Sequence, residues 1–117
     1  MKLAIVDYRI ENKSMWVGDH IRKSVINPLT KKGVEIYTAP TIREFEERYG
    51  SLDAFDGLLY HPGLQEQETS LPTISTNYPE LKWALATLDP GDGLHDQEVP
   101  VLSYWYAEKI FDHFCVK

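Results

Sequence analysis

The stretch Lys2-Leu-Ala-Ile-Val-Asp7, a short apolar run that ends in a carboxylate, decides the fold. Apolar side chains at nearly every position are typical of a strand buried on both faces, and such strands belong to parallel sheets covered by helices. Residues 34–38 and 55–61 have a similar character, and residues 99–104 form a fourth run of this kind. The sequence therefore predicts an α/β fold in which these segments share a parallel sheet.

Helices are predicted between the strands. The apolar residues of the first helix recur at every fourth position and share one face: Val17, Ile21, Val25 and Leu29. Pro28 predicts a kink or a restart within this helix, and Gly33 predicts its end. Thr41, with Glu44 three positions on, predicts the capped start of a second helix. A third helix is predicted over residues 78–88.

Strand and helix alternate along the whole chain, which predicts a three-layer, flavodoxin-like fold with four to five parallel strands. All 117 residues are expected to form one domain. Residues 64–77 show no periodicity and predict a long loop. Residues 105–117 can form either one amphipathic helix or a short helix followed by a fifth strand.

The composition excludes several classes of function. The net charge is −6, with +2 on residues 1–49 and −8 on residues 50–117, so nucleic-acid binding by this domain is not expected. No apolar run reaches the length of about 18 residues that crosses a bilayer, so no membrane association is expected. Cys115 is the single cysteine and forms no internal disulfide. The chain is expected to be cytoplasmic.

Candidate site residues follow the predicted strands, because ligands of such folds bind outside the carboxyl ends of the strands where strand order reverses. Asp7 and Tyr8 follow the first strand, His61 ends the third, and Ser103 lies near the end of the fourth. His61 is the histidine whose position favours a ligand contact. The histidines match no metal-ligand spacing, and no glycine-rich phosphate loop is present, so neither a metal nor a cofactor is predicted.

The whole chain resembles the receiver domain of bacterial response regulators, a CheY-like flavodoxin fold. The resemblance rests on Lys2-Leu-Ala-Ile-Val-Asp7, Phe55-Asp-Gly-Leu-Leu59 with Pro62-Gly-Leu64, Pro100-Val-Leu-Ser103 and Asp112-His-Phe-Cys-Val-Lys117. It implies that Ser103 is the hydroxyl switch residue of the fourth strand. It also implies that Phe114 and Lys117 are the switch aromatic and the phosphate-pairing lysine of a fifth strand.

The chain departs from receivers at the phosphoryl site. His61, preceded by Tyr60, stands where a receiver has its phosphate-accepting aspartate. Asp7 is followed by Tyr8 and Arg9, and a lone carboxylate is a poor ligand set for Mg²⁺. The resemblance therefore implies a pseudo-receiver that is not an enzyme. Its vestigial pocket would comprise these residues: Asp7, Tyr8, His61, Ser103 and Lys117.

A second resemblance is to the N-terminal half of class I glutamine amidotransferase domains, through Ile5-Val-Asp-Tyr8, Asp56-Gly-Leu-Leu-Tyr-His-Pro-Gly63 and Val99-Pro-Val-Leu102. Trp105 falls where that family has its nucleophilic cysteine, which needs small neighbours. This resemblance implies a small-molecule-binding module in which Tyr8 and His61 hold an anionic or amide ligand. A fifth strand at 112–116 favours the receiver, and a continuous helix from Trp105 favours this alternative.

Three consecutive aromatic residues, Tyr104, Trp105 and Tyr106, cannot all face the core. Tyrosine and tryptophan are enriched at protein interfaces, and Trp16 offers a weaker case of the same kind. The receiver resemblance places a partner surface at this end of the chain and adds Phe114 to it. The leading hypothesis is a pseudo-receiver that acts in signalling or regulation by binding a protein partner, including a second copy of itself.

Overall fold

A computed structural model describes residues 1–11, 16–61, 78–87 and 101–115. The strands are β1 (Lys2–Asp7), β2 (Glu35–Ala39), β3 (Gly57–His61), β4 (Lys82–Thr87) and β5 (Val101–Ser103). They form one sheet in the order β2-β1-β3-β4-β5, and every neighbouring pair is parallel. This order is that of flavodoxin-like folds, so the predicted fold class is confirmed.

The first helical region runs from α1 (Val17–Ile21) through a π-helical turn (Arg22–Ile26) into α2 (Asn27–Lys31). The helix does not restart at Pro28, because the backbone stays helical through Ile26 and Asn27. The proline instead follows the π-helical turn, a local irregularity of the kind that accompanies kinks. All four residues of the predicted apolar face are buried. Gly33 ends the region at a φ of 90°, a conformation that glycine adopts without strain.

The second predicted helix is α3 (Ile42–Tyr49). Its cap is the predicted one, because the Glu44 backbone N–H donates to Thr41 Oγ1 at 3.0 Å. Phe45 is fully buried on its inner face, whereas Tyr49 is 41% exposed. A short 3₁₀ turn (Leu52–Ala54) leads from α3 into β3.

The helix predicted over residues 78–88 is wrong, because β4 occupies residues 82–87. Side chains of β4 alternate between the two faces of the sheet: Ala84 and Ala86 pack on one, and Trp83 and Leu85 on the other. Alanine and leucine favour helices, and a short apolar run does not separate a buried strand from a buried helix by periodicity. Pairing with β3 decided the outcome.

The C-terminal segment forms one helix, α4 (Ala107–Cys115). A fifth strand over residues 112–115 is therefore wrong, and Val101–Ser103 is itself the fifth strand. A helix is the outcome expected to favour the amidotransferase-like alternative. The helix begins at Ala107, two residues after Trp105, so on this criterion the outcome favours that alternative. The sheet still has five strands, because β4 takes the place of the helix predicted at 78–88.

Two apolar clusters cover the two faces of the sheet. Phe114 of α4 belongs to one of them and lies over Gly57, where a Cβ atom would come within 2.5 Å of the Phe114 ring. The expected place of Phe114 on a partner surface is therefore corrected: its ring is a packing contact. The loop predicted at 64–77 lies outside the described residues. Within the part of the chain that is described, no helix has the length and apolar character to cross a membrane.

Candidate functional site

The candidate site lies at the carboxyl edge of the sheet, between β1 and β3. The chain leaves β1 for β2 on one side and returns to β3 on the other, so strand order reverses here. Asp7 and His61 are paired in register at the ends of these two strands. Such a reversal opens a crevice that binds ligands in α/β folds. The structure thus brings together Asp7, Tyr8 and His61 from the predicted pocket.

The Asp7 carboxylate is fully buried and fully occupied. Its Oδ1 accepts from the backbone N–H of Arg9 at 2.8 Å and from Arg9 Nε at 3.0 Å. Its Oδ2 accepts from Arg9 Nη2 at 2.9 Å and from the Tyr104 hydroxyl at 3.0 Å. A carboxylate has about four acceptor positions, so these hydrogen bonds leave Asp7 with no free one.

Burial and charge fix the protonation of both partners of Asp7. Burial opposes the charge of Arg9, but the hydrogen bond and the charge of Asp7 outweigh it and raise the Arg9 pKa. Burial, followed by the charge and the hydrogen bond of Asp7, raises the pKa of Tyr104 well above 10.0. Arg9 therefore stays a cation and Tyr104 stays a hydrogen-bond donor near neutral pH.

This arrangement places a guanidinium directly against the Asp7 carboxylate, where it occupies oxygens that could otherwise bind a divalent cation. Mg²⁺ binds through oxygen ligands, and the oxygens of Asp7 already accept from Arg9 and Tyr104. Across the described ranges, no group of three His, Cys, Asp or Glu side chains is arranged to hold a metal ion.

The hydrogen bonding of His61 differs from that of Asp7. A contact at one ring nitrogen determines which of the two nitrogens carries the hydrogen. Its Nδ1 lies 2.7 Å from the carbonyl oxygen of Ala86. A carbonyl oxygen only accepts, so Nδ1 carries the hydrogen and the Nε2 of the neutral ring is an acceptor. The ring stacks on Tyr8, with centroids 5.6 Å apart and planes 24° apart. His61 is 7% exposed, whereas Tyr8 is 45% exposed.

The other residues predicted for the pocket and for the partner surface are not where the sequence predicts them. Ser103 ends the fifth strand, not the fourth as the receiver resemblance implies, and its Oγ accepts from the Trp105 backbone N–H at 3.1 Å. Tyr104 is fully buried against Asp7, which corrects its expected place on the partner surface. Lys117 lies outside the described residues. The structure therefore does not bring Ser103 to Asp7 by any described contact.

Exposed aromatic side chains form what we call the aromatic surface, consisting of Trp16, His20, Trp105 and Tyr106. Trp16, Trp105 and Tyr106 are 61%, 55% and 58% exposed. The His20 ring centroid lies 4.2 Å from that of Trp105 and 5.7 Å from that of Trp16. Burial lowers the pKa of His20, against the opposing effect of the Tyr104 backbone carbonyl. A neutral ring therefore links the two tryptophans near neutral pH.

Sequence reasoning missed the roles of Arg9, Tyr104 and His20. In the sequence Arg9 marks a departure from the acidic pair of receivers, but an arginine two positions after a carboxylate is also a local signal for an ion pair. Tyr104 carries no such local signal, because Asp7 is 97 positions away. The i,i+4 spacing of Trp16 and His20 is a local signal, but the contact of His20 with Trp105 joins distant segments.

A separate cavity of about 390 Å³ lies at the opposite, amino edge of β3 and β4. Its lining includes Asp53, Phe55 and Glu80. Beside it, the Tyr78 hydroxyl donates to Glu46 at 2.8 Å. Burial, together with this carboxylate, raises the pKa of Tyr78 to about 12. The contact ties the segment before β4 to α3, and the cavity is remote from the crevice between β1 and β3.

The sequence matches no protein-family model, and no curated protein is similar to it. The fold and the edge described above define a flavodoxin-like α/β domain. Its function has to be argued from the chemistry of the crevice and of the aromatic surface.

Proposed function

We propose that this chain is a non-catalytic pseudo-receiver, a flavodoxin-like domain that regulates by binding another protein. The occupied carboxylate of Asp7 is the observation that carries the proposal. Phosphoryl transfer on such an edge needs a divalent cation to offset the charge of the phosphoryl group. Arg9 and Tyr104 take up the oxygens that would bind it, and in the receiver resemblance His61 stands at the position of the accepting aspartate.

The aromatic surface supports the second part of the proposal, the binding of a protein. Trp16, Trp105 and Tyr106 are each more than half exposed, and exposed aromatic side chains that lie together mark interaction sites. Tryptophan and tyrosine supply a large share of the binding energy at protein interfaces.

A small-molecule-binding module is the second candidate. The specific observation in its favour is the place of His61 at the reversal of strand order, where the Ala86 carbonyl holds its Nδ1. It is compatible with the first candidate, because the crevice and the aromatic surface use different residues.

The first experiment tests the loss of phosphoryl chemistry. We expect an amide NMR spectrum titrated with Mg²⁺, and then with beryllofluoride, to show no saturable shifts at Asp7, Tyr8, His61 or Ser103. The amides of α3 serve as the internal reference for non-specific ionic effects. Saturable shifts at the strand ends would overturn the proposal that phosphoryl chemistry is gone.

The second experiment tests the aromatic surface. A photo-crosslinking amino acid is placed at Trp105 or Tyr106, and at Tyr49 as a matched control, since Tyr49 is exposed on α3. We expect discrete protein conjugates from positions 105 and 106 and none from 49. Conjugates of the chain with itself would identify the partner as a second copy, with sedimentation as the check. Equal labelling at all three positions, or none, contradicts the proposal.

Affinity for the captured protein completes the test. With the purified partner, Trp105→Ala and Tyr106→Ala are each expected to weaken binding by about tenfold or more, because hot-spot truncations cost upwards of about 1.4–2 kcal/mol. Tyr49→Ala is expected to change the affinity by less than about twofold. Equal losses for all three variants would show that the aromatic surface is not the interface.

A further inference from the structure

We propose that His20 is a pH-sensitive contact: its neutral ring holds Trp16 and Trp105 together, and protonation of the ring releases them. The proposal concerns the chain on its own and goes beyond the binding of a partner at the aromatic surface. It rests on the contacts of the His20 ring, on the surroundings of its two nitrogens and on the charges near it.

The His20 ring joins two segments that are far apart in the sequence. Trp16 precedes α1, which carries His20, and Trp105 follows β5. The His20 ring meets Trp16 edge to face at a centroid distance of 5.7 Å. It lies 4.2 Å from the Trp105 centroid, with the two planes tilted by 56°. A movement of this one ring therefore changes the surroundings of both tryptophans.

The two nitrogens of the His20 ring have unequal surroundings. Nδ1 lies 3.3 Å from the Ser24 hydroxyl, which can donate or accept a hydrogen bond. Nε2 is buried and has no hydrogen-bond partner among the described residues. A neutral imidazole carries one hydrogen, which Nδ1 can donate to Ser24 while Nε2 carries none. The neutral ring is therefore compatible with both contacts.

Protonation disturbs this arrangement, because an imidazolium carries a hydrogen on both nitrogens. A buried N–H group of a cation that finds no acceptor is costly. Burial accordingly lowers the pKa of His20, and the Tyr104 backbone carbonyl opposes this shift only in part. Rotation of the side chain into water satisfies both N–H groups, and it takes the ring away from the two tryptophans.

Charged side chains near His20 do not stabilise an imidazolium. On α1, Asp19 pairs with Arg22 at 3.0 Å, so its carboxylate is already offset. On α4, Glu108 and Lys109 are both exposed and have opposite charges. Within the described part of the chain, no charged group shifts the pKa of His20. The imidazolium therefore lacks a counter-charge at this position.

The tryptophan rings could act in the opposite direction, since an aromatic face attracts a cation. This attraction is weak at exposed sites, and Trp16 and Trp105 are 61% and 55% exposed. The cost of protonation falls on a buried atom, His20 Nε2. Attraction to the rings would raise the pKa of His20, whereas burial of the nitrogen lowers it, so a titration separates the two effects.

The experiment is a titration of the ¹⁵N-labelled full chain between about pH 8 and pH 5, where most carboxylates stay ionised. The His20 imidazole signals are expected to titrate with a midpoint below 6.5. The indole N–H signals of Trp16 and Trp105 are expected to shift with the same midpoint. Nuclear Overhauser contacts between the His20 and Trp105 rings are expected to disappear below it. Trp83 serves as the internal reference, because it packs on the opposite face of the sheet from α1.

Variants separate His20 from other titrating groups. His20→Phe keeps an aromatic ring that does not titrate, so the indole signals are expected to stay constant and the contact with Trp105 to persist at low pH. His20→Gln is a second variant without titration and is expected to give constant indole signals. His113→Gln removes another histidine whose pKa burial lowers, and it is expected to leave the indole shifts unchanged.

Three results would each overturn the proposal. The first is a His20 midpoint at or above 6.5, which would show that the tryptophans hold the imidazolium. The second is contact between the His20 and Trp105 rings that persists below the midpoint. The third is the same indole shifts in His20→Phe or His20→Gln as in the wild type.

A consequence for partner binding rests on the proposed function. A partner that needs both tryptophans in place binds the neutral form, so one pH unit below the His20 midpoint its affinity is expected to be weaker by about tenfold. His20→Phe is expected to bind equally well at both pH values. A constant affinity of the wild type across the midpoint would contradict this consequence. Failure to find a partner leaves the titration of the chain on its own unaffected, so the two failures are distinguishable.

Discussion

Asp7 and His61 are paired in register at the same edge of the sheet, yet their side chains are in opposite states. Asp7 is fully buried and accepts four hydrogen bonds from within the chain. His61 makes one hydrogen bond through Nδ1, to the Ala86 carbonyl, and among the described residues its Nε2 has no recorded partner. The two neighbouring strand ends therefore differ in their hydrogen bonding: the Asp7 carboxylate has no acceptor position left, whereas one hydrogen bond holds the His61 ring.

The Arg9→Met substitution should have the largest effect on stability, because it removes the cation that is paired with Asp7. Arg9→Met leaves the Asp7 carboxylate buried without its counter-charge, and breaking a buried pair costs roughly 3–5 kcal/mol. We expect a loss of this size in the free energy of unfolding, measured by urea denaturation. Adding Asp7→Asn to Arg9→Met should restore part of it.

Arg43→Met is the matched control for that loss. Arg43 pairs with Glu47 at 3.3 Å on the exposed face of α3, with side chains 88% and 63% exposed. Such a pair contributes about 0.5 kcal/mol or less. A similar cost for the two arginine variants would show that the Asp7 network does not differ from a surface ion pair.

The Tyr104 hydroxyl should give the next largest effect. Tyr104→Phe removes one of the hydrogen bonds to a buried charge and is expected to lower the free energy of unfolding by roughly 1.5–3 kcal/mol. Tyr106→Phe, at an exposed neighbouring position, is expected to change it by less than about 0.5 kcal/mol. Chemical denaturation of both variants checks the comparison, and a harmless Tyr104→Phe would contradict it.

Substitutions of His61 should change the free energy of unfolding less than those of Arg9 and Tyr104. His61→Leu removes the hydrogen bond to the Ala86 carbonyl and is expected to cost about 1 kcal/mol, whereas His61→Asn retains a donor and is expected to cost less. Thermal and urea unfolding of the two variants measure the difference. Equal losses would show that the hydrogen bond to Ala86 is not what holds the histidine.

The smallest expected effect is a pH dependence that comes from the other histidines. Burial lowers the pKa of His20 and of His113 below 6.5, and Lys82 adds to the shift at His113. Below that pH the unfolded chain takes up protons that the folded chain resists, so stability is full above about 6.5 and is lost as the pH falls.

The double variant His20→Gln, His113→Gln isolates this effect. It should lose less stability than the wild type between about pH 7.5 and 5.5, as urea denaturation at each pH will measure. An unchanged difference between wild type and variant across that range would show that neither histidine is penalised by burial.

The sequence predicted those parts of the fold that depend on local chemistry. The buried run of β1, the apolar face of α1 and α2, and the Thr41 cap are all short-range patterns, and the structure has them. The strand β4 could not be predicted, because its composition also suits a helix and pairing with β3 decided the matter.

Part of the candidate site followed from sequence as well. The ends of parallel strands meet at one edge, so Asp7, Tyr8 and His61 were brought together as expected. The burial of Tyr104 and the packing of Phe114 over Gly57 depend on contacts between distant segments. No local pattern encodes such contacts, which is why both residues were expected at the surface.

The hydrogen bond from Tyr104 to Asp7 joins residues 97 positions apart, whereas the ion pair of Asp7 spans two. Closing a long loop costs more entropy than closing a short one, and long-range contacts slow folding. We therefore expect Asp7 and Arg9 to pair early and Tyr104 to join late in the folding reaction. Tyr104→Phe should then speed unfolding while leaving the folding rate almost unchanged, so this hydroxyl sets how long the folded molecule lasts.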